Sequence, residues 1–393
     1  MAAGQRPSWM EINLEAIERN YLEAVRRAGP SRRVIASIKA NAYGHGVAEV
    51  AKVLDRHGVF AYWTGHVPEA IALRRSGVKT KTIMFGGYLP DVIPELVQHD
   101  LIPTVYDEVG IAAAARSGQG RPVPVYVKVD SGLGRLGVSL SEARAFISRV
   151  AKLPSLRLEG VYTHLPFSDV KGRDWALACS AKFQRLLDDL RNDGINPAVT
   201  QLWGSSGFIA ELPDETNAVC IGHLLYGLSP VAEEVARADG FQIACTGIKG
   251  KLIHVGRHPV GNDLGISGQY RITGAKVTGV LAFGIGDGMR RAVPGQTVEA
   301  LVQGKRVPVI GTSLEHTVLD LSNIDSPGVG DEVVLLGSAG GDRITLSDWG
   351  RYFGCSPLEV IINFSGRTEC KYMNPADDIW QNFGSQGKQA VQA

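Results

Sequence analysis

The chain has 393 residues, and Lys plus Arg (41) almost balance Asp plus Glu (40). That length accommodates two domains with separate cores. The balanced charge excludes a basic field that would gather nucleic acid or an anionic membrane. No apolar run reaches the roughly eighteen residues of a membrane span, and MAAGQRPSWMEIN has no apolar signal core. Five scattered cysteines (Cys179, Cys220, Cys245, Cys355, Cys370) form no C-x-x-C pair. Neither a disulfide framework nor a metal site is expected, and a reduced cytoplasmic compartment is.

In chain order, the first predicted element is a helix. Asn13 is placed to cap it, and Leu14, Ile17, Tyr21, Ala24, Val25 and Ala28 share one apolar face. Short β-branched runs then predict strands over 34–40, 59–65, 80–86, 102–106, 123–130, 158–164, 198–203 and 217–220. Helical patterns intervene at 47–57, 68–76, 91–99, 140–152 and 175–192. This alternation predicts an α/β fold, a (β/α)8 TIM barrel. An open doubly wound sheet is the rival, but no strand leads into G-x-G-x-x-G. Beyond about residue 230 the texture changes to short strands at 277–283, 297–302, 306–310, 318–321 and 332–336, cut by Gly and Pro, with one short helix over 347–354. The expected domains are the barrel over 10–235 and a C-terminal all-β domain over 236–376, which residues 1–12 are free to join. A polar, fraying tail is expected over 377–393.

Barrel strands aim their carboxyl ends at one site. Lys39 follows an apolar run there, in VIASIKANAYGHG. An apolar setting disfavours its ammonium form and makes it a nucleophile able to hold a carbonyl cofactor. Lys128, Asp130, His164 and Ser205 fall on the same rim by this count. VDSGLGRLGV packs glycines around Arg135, a residue suited to clamping a carboxylate or phosphate. The alternative for that segment is a plain glycine turn. GSSG at 204–207 and IGH at 221–223 can offer backbone N–H groups to an anion.

Over residues 10–373 the chain resembles the alanine racemase family. The resemblance runs through IKANAYGHG, KVDSGLGRLG, GVYTHLPFSD, GSSG, IGHLLYGLSP, FGIGDGMRR, GTSLEH and GCSPLEVI. It implies a pyridoxal 5'-phosphate barrel, an amino-acid substrate, and a head-to-tail homodimer whose β domain completes the partner's site. By matched position Lys39 would be the Schiff-base lysine and one-face proton carrier, and Tyr43 a phosphate contact. His164 would pack against the cofactor ring, and Lys128 falls where the family often has a carbamylated lysine buttressing Arg135. Ser205, Gly222, His223 and Tyr226 fall in phosphate-binding stretches, with Gly204 where the family has Asn.

Departures gather at the chemistry. Cys220 stands where the family pairs an arginine with the pyridine nitrogen, and Ile266 stands near the opposite-face tyrosine, with Tyr270 four residues later. Leu358 replaces a second tyrosine, and S-M-D becomes Ser313-Leu314-Glu315. Racemisation needs proton traffic on both faces of Cα. Three readings follow: one-face chemistry such as decarboxylation, β-elimination or aldol-type cleavage; racemisation with a substitute acid from Tyr270, His258, Asp263, Glu315 or His316; or a non-catalytic cofactor-binding scaffold.

Overall fold

The structure, a computed structural model, describes residues 6–264, 270–271, 274 and 276–373, with residues 270 and 271 described by backbone alone. Ile266 and the tail over 377–393 lie outside the described residues. Residues 16–42 and 46–243 form one compact unit; residues 6–15, 43–45 and 244–373 form the other.

The first unit is a closed parallel barrel. Its strands are Arg33–Ser37, Ala61–Thr64, Thr82–Met84, Ile102–Val105, Val123–Asp130, Leu156–Tyr162, Val199–Gln201 and Ala218–Ile221. Each pairs with the next in chain order, and the last returns to the first with Cys220 beside Ile35. Each strand contributes to a shared interior of Ile35, Ala61, Trp63, Ile83, Ile102, Tyr126, Tyr162, Val199 and Ala218. Their burial follows from period-2 alternation, which turns one face of every strand inward. Outside, the helices Val47–Asp55, Val67–Arg75, Ile93–Gln98, Glu108–Ser117, Leu140–Lys152 and Val170–Asn192 connect the strands. Asp107 and Asp169 cap two of them by accepting the N–H groups of Gly110 (2.6 Å) and Gly172 (2.7 Å).

Several expected boundaries move. The first strand ends at Ser37 rather than running on through Lys39, because residues 40–43 turn left-handed. The sixth begins at Leu156 and ends at Tyr162, leaving His164 on the loop beyond it. A helix at Glu108–Ser117 escapes the apolar-stripe test, since EVGIAAAARS is mostly alanine.

The second unit is an antiparallel sheet built around the long strand Cys245–His258. Ser8–Asn13 joins it, antiparallel to Cys245–His258 and parallel to Glu369–Met373. Two helices accompany the sheet where one was expected, Leu346–Phe353 and Pro357–Ser365. Reciprocal bonds start them: Thr345 with Asp348, and Ser356 with Glu359. Trp349 is their anchor, edge-on to Phe364 at 5.1 Å and donating Nε1–H to Leu335 O at 2.5 Å. Among the described residues no helix is long and apolar enough to cross a membrane, and no cluster of three His, Cys, Asp or Glu could hold a metal ion.

Candidate active site

Lys39 begins an unusual turn. Ala40, Asn41, Ala42 and Tyr43 all have φ between 52 and 55°, a left-handed turn built from residues that ordinarily avoid it. The turn is held from both sides. Ala42 N–H donates to Ile38 O at 2.9 Å and Gly46 N–H to Asn41 O at 3.0 Å. Asn41 Oδ1 accepts the first helical N–H, that of Val47, at 2.8 Å. The IKANAYGHG segment therefore reverses the chain at once and leaves Lys39 at the barrel's carboxyl end. Tyr43 packs with the second unit; it is buried, and its carbonyl lies 2.9 Å from His45 Nδ1.

Burial pushes the Lys39 amine below the usual lysine range; Cys220 opposes that shift and the Arg135 guanidinium adds to it. Lys128 is buried with Nζ 5.7 Å from the centre of the Tyr162 ring. Burial first, then Arg135, take its amine down to about 8, against the pull of Asp130. His164 falls to about 3, through burial and then the nearby charges of Lys39, Arg135 and Lys128. His223 falls to about 4 by burial and Lys39. Both imidazoles are neutral at physiological pH. The Cys220 thiol is pushed up to about 12 by burial, with Lys39 opposing, so it keeps its proton. Lys39, Lys128, Arg135, His164, Cys220 and His223 thus sense one another electrostatically at one mouth.

Asp130 is committed elsewhere. Its carboxylate accepts N–H groups from Gly132 (2.9 Å), Gly134 (3.1 Å) and Arg135 (3.1 Å), ordering the glycine loop under an exposed Arg135. Burial raises this carboxyl, but those N–H donors outweigh it and hold it below its ordinary value. Gly137 is required for closure: a Cβ there would stand 2.5 Å from Asp130 N, at φ +133.

The turns after strands seven and eight meet. Gly222 N–H donates to Ser205 Oγ at 2.9 Å, both buried. Gly204 leaves a gap that a methyl group would fill, 3.6 Å from Cys220 O and 3.7 Å from the His164 ring. Tyr226 is fully buried and donates its hydroxyl to Ser37 O at 2.9 Å, bracing the first strand just before Lys39. Sequence reasoning overlooked Phe85, Trp63 and Tyr162, aromatic residues at or just past strand ends whose positions alone could have flagged them.

In the second unit the substitute acids separate by environment. Glu315 binds Arg367 Nη1 at 3.1 Å and Arg6 Nη1 at 2.6 Å. Arg367 and then Arg6 hold it below the usual carboxylate range. The His258 ring lies 2.9 Å from Thr278 Oγ1, and His316 is exposed on the Ser313–His316 turn. Asp263 and Tyr270 lie on paired two-residue strands, Asp263 opposite Arg271 and Leu264 opposite Tyr270. Leu358 sits in the first turn of Pro357–Ser365.

Comparison with known proteins agrees along both units. Residues 12–230 match the family described as alanine racemase, N-terminal domain, and residues 245–372 match alanine racemase, C-terminal domain. The alanine racemase of Thermodesulfovibrio yellowstonii is 33% identical over 371 residues, covering 92% of this chain and 97% of that one. The alanine racemase of Desulforamulus reducens is 30% identical, covering 94% and 100%. The crystal structure of alanine racemase from E. faecalis superposes with a TM-score of 0.85 at 27% identity, covering 95% of this chain and 100% of that one. On this evidence of fold, sequence and length, the chain belongs to the alanine racemase family.

Proposed function

We propose that this chain is a pyridoxal 5'-phosphate-dependent amino-acid racemase. The observation that carries the reading is the convergence of a half-buried Lys39, its amine depressed, with the Ser205–Gly222 cradle, in a chain similar to alanine racemases over 92% of its length. The residues present fit the cofactor. Ser205 Oγ, fixed at a strand end by the Gly222 N–H that donates to it, keeps its own hydroxyl proton for an anion, the missing Cβ of Gly204 leaves room beside it, and Lys128 and Arg135 supply positive charge.

In this reading Lys39 Nζ holds the aldehyde and then moves a proton at one face of Cα. When bound, the cofactor withdraws electrons from Cα and makes its hydrogen acidic. Ser205 and His223 would hold the phosphate, with Gly222 fixing the Ser205 hydroxyl, and Tyr226 keeps the first strand in place. Arg135 orients the substrate carboxylate. His164, neutral, would line the cofactor's site without adding charge. Cys220, a neutral thiol, would offer the cofactor a small and weakly polar neighbour. A homodimer would bring the second proton carrier from the partner's sheet unit, with Tyr270, His258, Asp263 and His316 as the candidates; Glu315, locked between arginines, is the poorest. Free cysteines support a cytoplasmic setting.

One-face chemistry is the outcome against which this is tested. The relatives' names favour racemisation over a lyase or decarboxylase. Single enantiomers of a panel of amino acids are incubated with the cofactor-loaded chain in deuterated water, then resolved by chiral chromatography and mass. The expected result is both enantiomers, each labelled at Cα. Label confined to the starting enantiomer, or a product of altered mass, would overturn the proposal.

A further inference from the structure

Three aromatic rings lie end to end between the two mouth lysines. Lys39 Nζ is 5.7 Å from the centre of the Phe85 ring. Phe85 stacks on Trp63 with centroids 6.4 Å apart and planes 24° from parallel. Trp63 meets Tyr162 edge-on at 4.4 Å and 86°, and Tyr162 carries Lys128 Nζ 5.7 Å from its centroid. Trp63 and Tyr162 come from the second and sixth strands and Phe85 from just past the third, so closure of the barrel is what aligns them. They are well held: Trp63 is 7% and Tyr162 1% exposed, and the Tyr162 hydroxyl reaches Thr104 Oγ1 at 3.3 Å.

We infer that Phe85, Trp63 and Tyr162 are positioning residues that seat both amines on ring faces, screen them from water, and so tie the reactivity of Lys39 to that of Lys128. This deepens the reading of Lys39 as proton carrier, yet it concerns amine chemistry that is measurable without any reaction. Two opposing effects act at each amine. A ring face attracts an ammonium group, whereas exclusion of water penalises it. Both amines lie below the ordinary lysine range with burial as the leading cause, so exclusion prevails. Lys39 also faces Cys220, Arg135, His164 and His223, and Lys128 faces Arg135, Asp130, His164 and Lys39. These groups keep their places when a ring is replaced, so a shifted midpoint reads the rings' share together with the coupling between the two amines.

The full chain is freed of carbonyl ligands by dialysis against hydroxylamine. It is then trace-acetylated across a pH series, and the Lys39 and Lys128 peptides are quantified by mass spectrometry against exposed Lys79. Trp63→Ala admits water between the two seats, and is expected to raise both titration midpoints and cut reactivity near neutral pH about tenfold at each amine. Phe85→Leu keeps the apolar wall but removes the ring quadrupole; the Lys39 midpoint should fall further while that of Lys128 stays. Trp63→Phe should restore both. Unmoved midpoints in Trp63→Ala, or movement at one amine alone, overturn the proposal. Where near-ultraviolet circular dichroism shows Trp63→Ala misfolded, Phe85→Leu decides, and an unmoved Lys39 midpoint there overturns it. No racemisation by the wild-type chain, together with midpoints that shift in the variants as expected, would count against the proposed function and leave the ring chain standing.

Discussion

Gly222 donates its N–H to Ser205 Oγ across 2.9 Å, a bond between the turns that end two adjacent barrel strands. With the hydroxyl removed, that buried N–H loses its partner and an anion loses a donor. Ser205→Ala should weaken pyridoxal phosphate binding by roughly tenfold, the scale of one hydrogen bond to a charged group. Absorbance titration measures it, and an unchanged Kd would remove Ser205 from the cradle.

The left-handed turn after Lys39 makes an unusual stability prediction. Ala40 is exposed at φ 53°, so Ala40→Gly should stabilise the chain by about 1 kcal/mol, reversing the usual penalty of glycine. Asn41→Ala removes the bond to Val47 N–H and should cost about 1 kcal/mol, as loss of a helix cap does. Thermal melts of the two variants should move in opposite directions; shifts of the same sign would refute the strain argument.

His164 and His223 give the fold an acid limit. Their folded values, about 3 and about 4, lie below the roughly 6.5 of a free imidazole. Between those values the unfolded chain binds protons that the folded chain refuses, so stability falls as pH drops through that window. His164→Gln should flatten the difference in urea midpoint between pH 7 and pH 5. An undiminished slope would place the acid sensitivity elsewhere.

Lys128 titrates on the alkaline side. Its folded value of about 8 lies below the roughly 10.4 of an exposed lysine. The buried charge therefore costs stability below about pH 8, and the cost fades as pH rises toward the ordinary lysine range. The neutral fraction is open to carbon dioxide: the Nζ–carbon bond forms and one proton leaves. In ¹³C-bicarbonate a carbamate resonance should appear and be absent in Lys128→Met; its persistence in that variant would assign it to another amine.

Glu315 bonds Arg367 and Arg6 and stays ionised, which suits an anchor and not a proton donor. Glu315→Gln should leave both limbs of the kcat pH profile in place. A displaced limb would restore Glu315 to the list of opposite-face acids.

Much of the architecture was legible in the chain. The spans Leu14–Ala28 and Leu140–Lys152 fold where their periodicity places them, because amphipathic pattern is a local property, and the β-branched run Val123–Asp130 folds as the strand its composition indicates. Elements without a clean pattern were hidden. Glu108–Ser117 is alanine-rich, PLEVIINFS has the β-branched look of a strand but follows a capping box, and Cys245–His258 is half exposed along its length.

Sequence by itself determined the barrel count, the family, and the residue types at the mouth: Lys39 and His164 are readable from strand ends, Arg135 from its glycine loop, and Cys220 from the resemblance to the family. Tertiary structure alone decided that residues 40–43 turn left-handed, that Ser205 meets Gly222, and that Phe85, Trp63 and Tyr162 form one chain of rings. The reason is physical. The turn runs against the intrinsic preference of its residues and survives through bonds to its surroundings, while the other two relationships join residues far apart in the chain, Trp63 and Tyr162 across non-adjacent strands, that meet only in the assembled barrel.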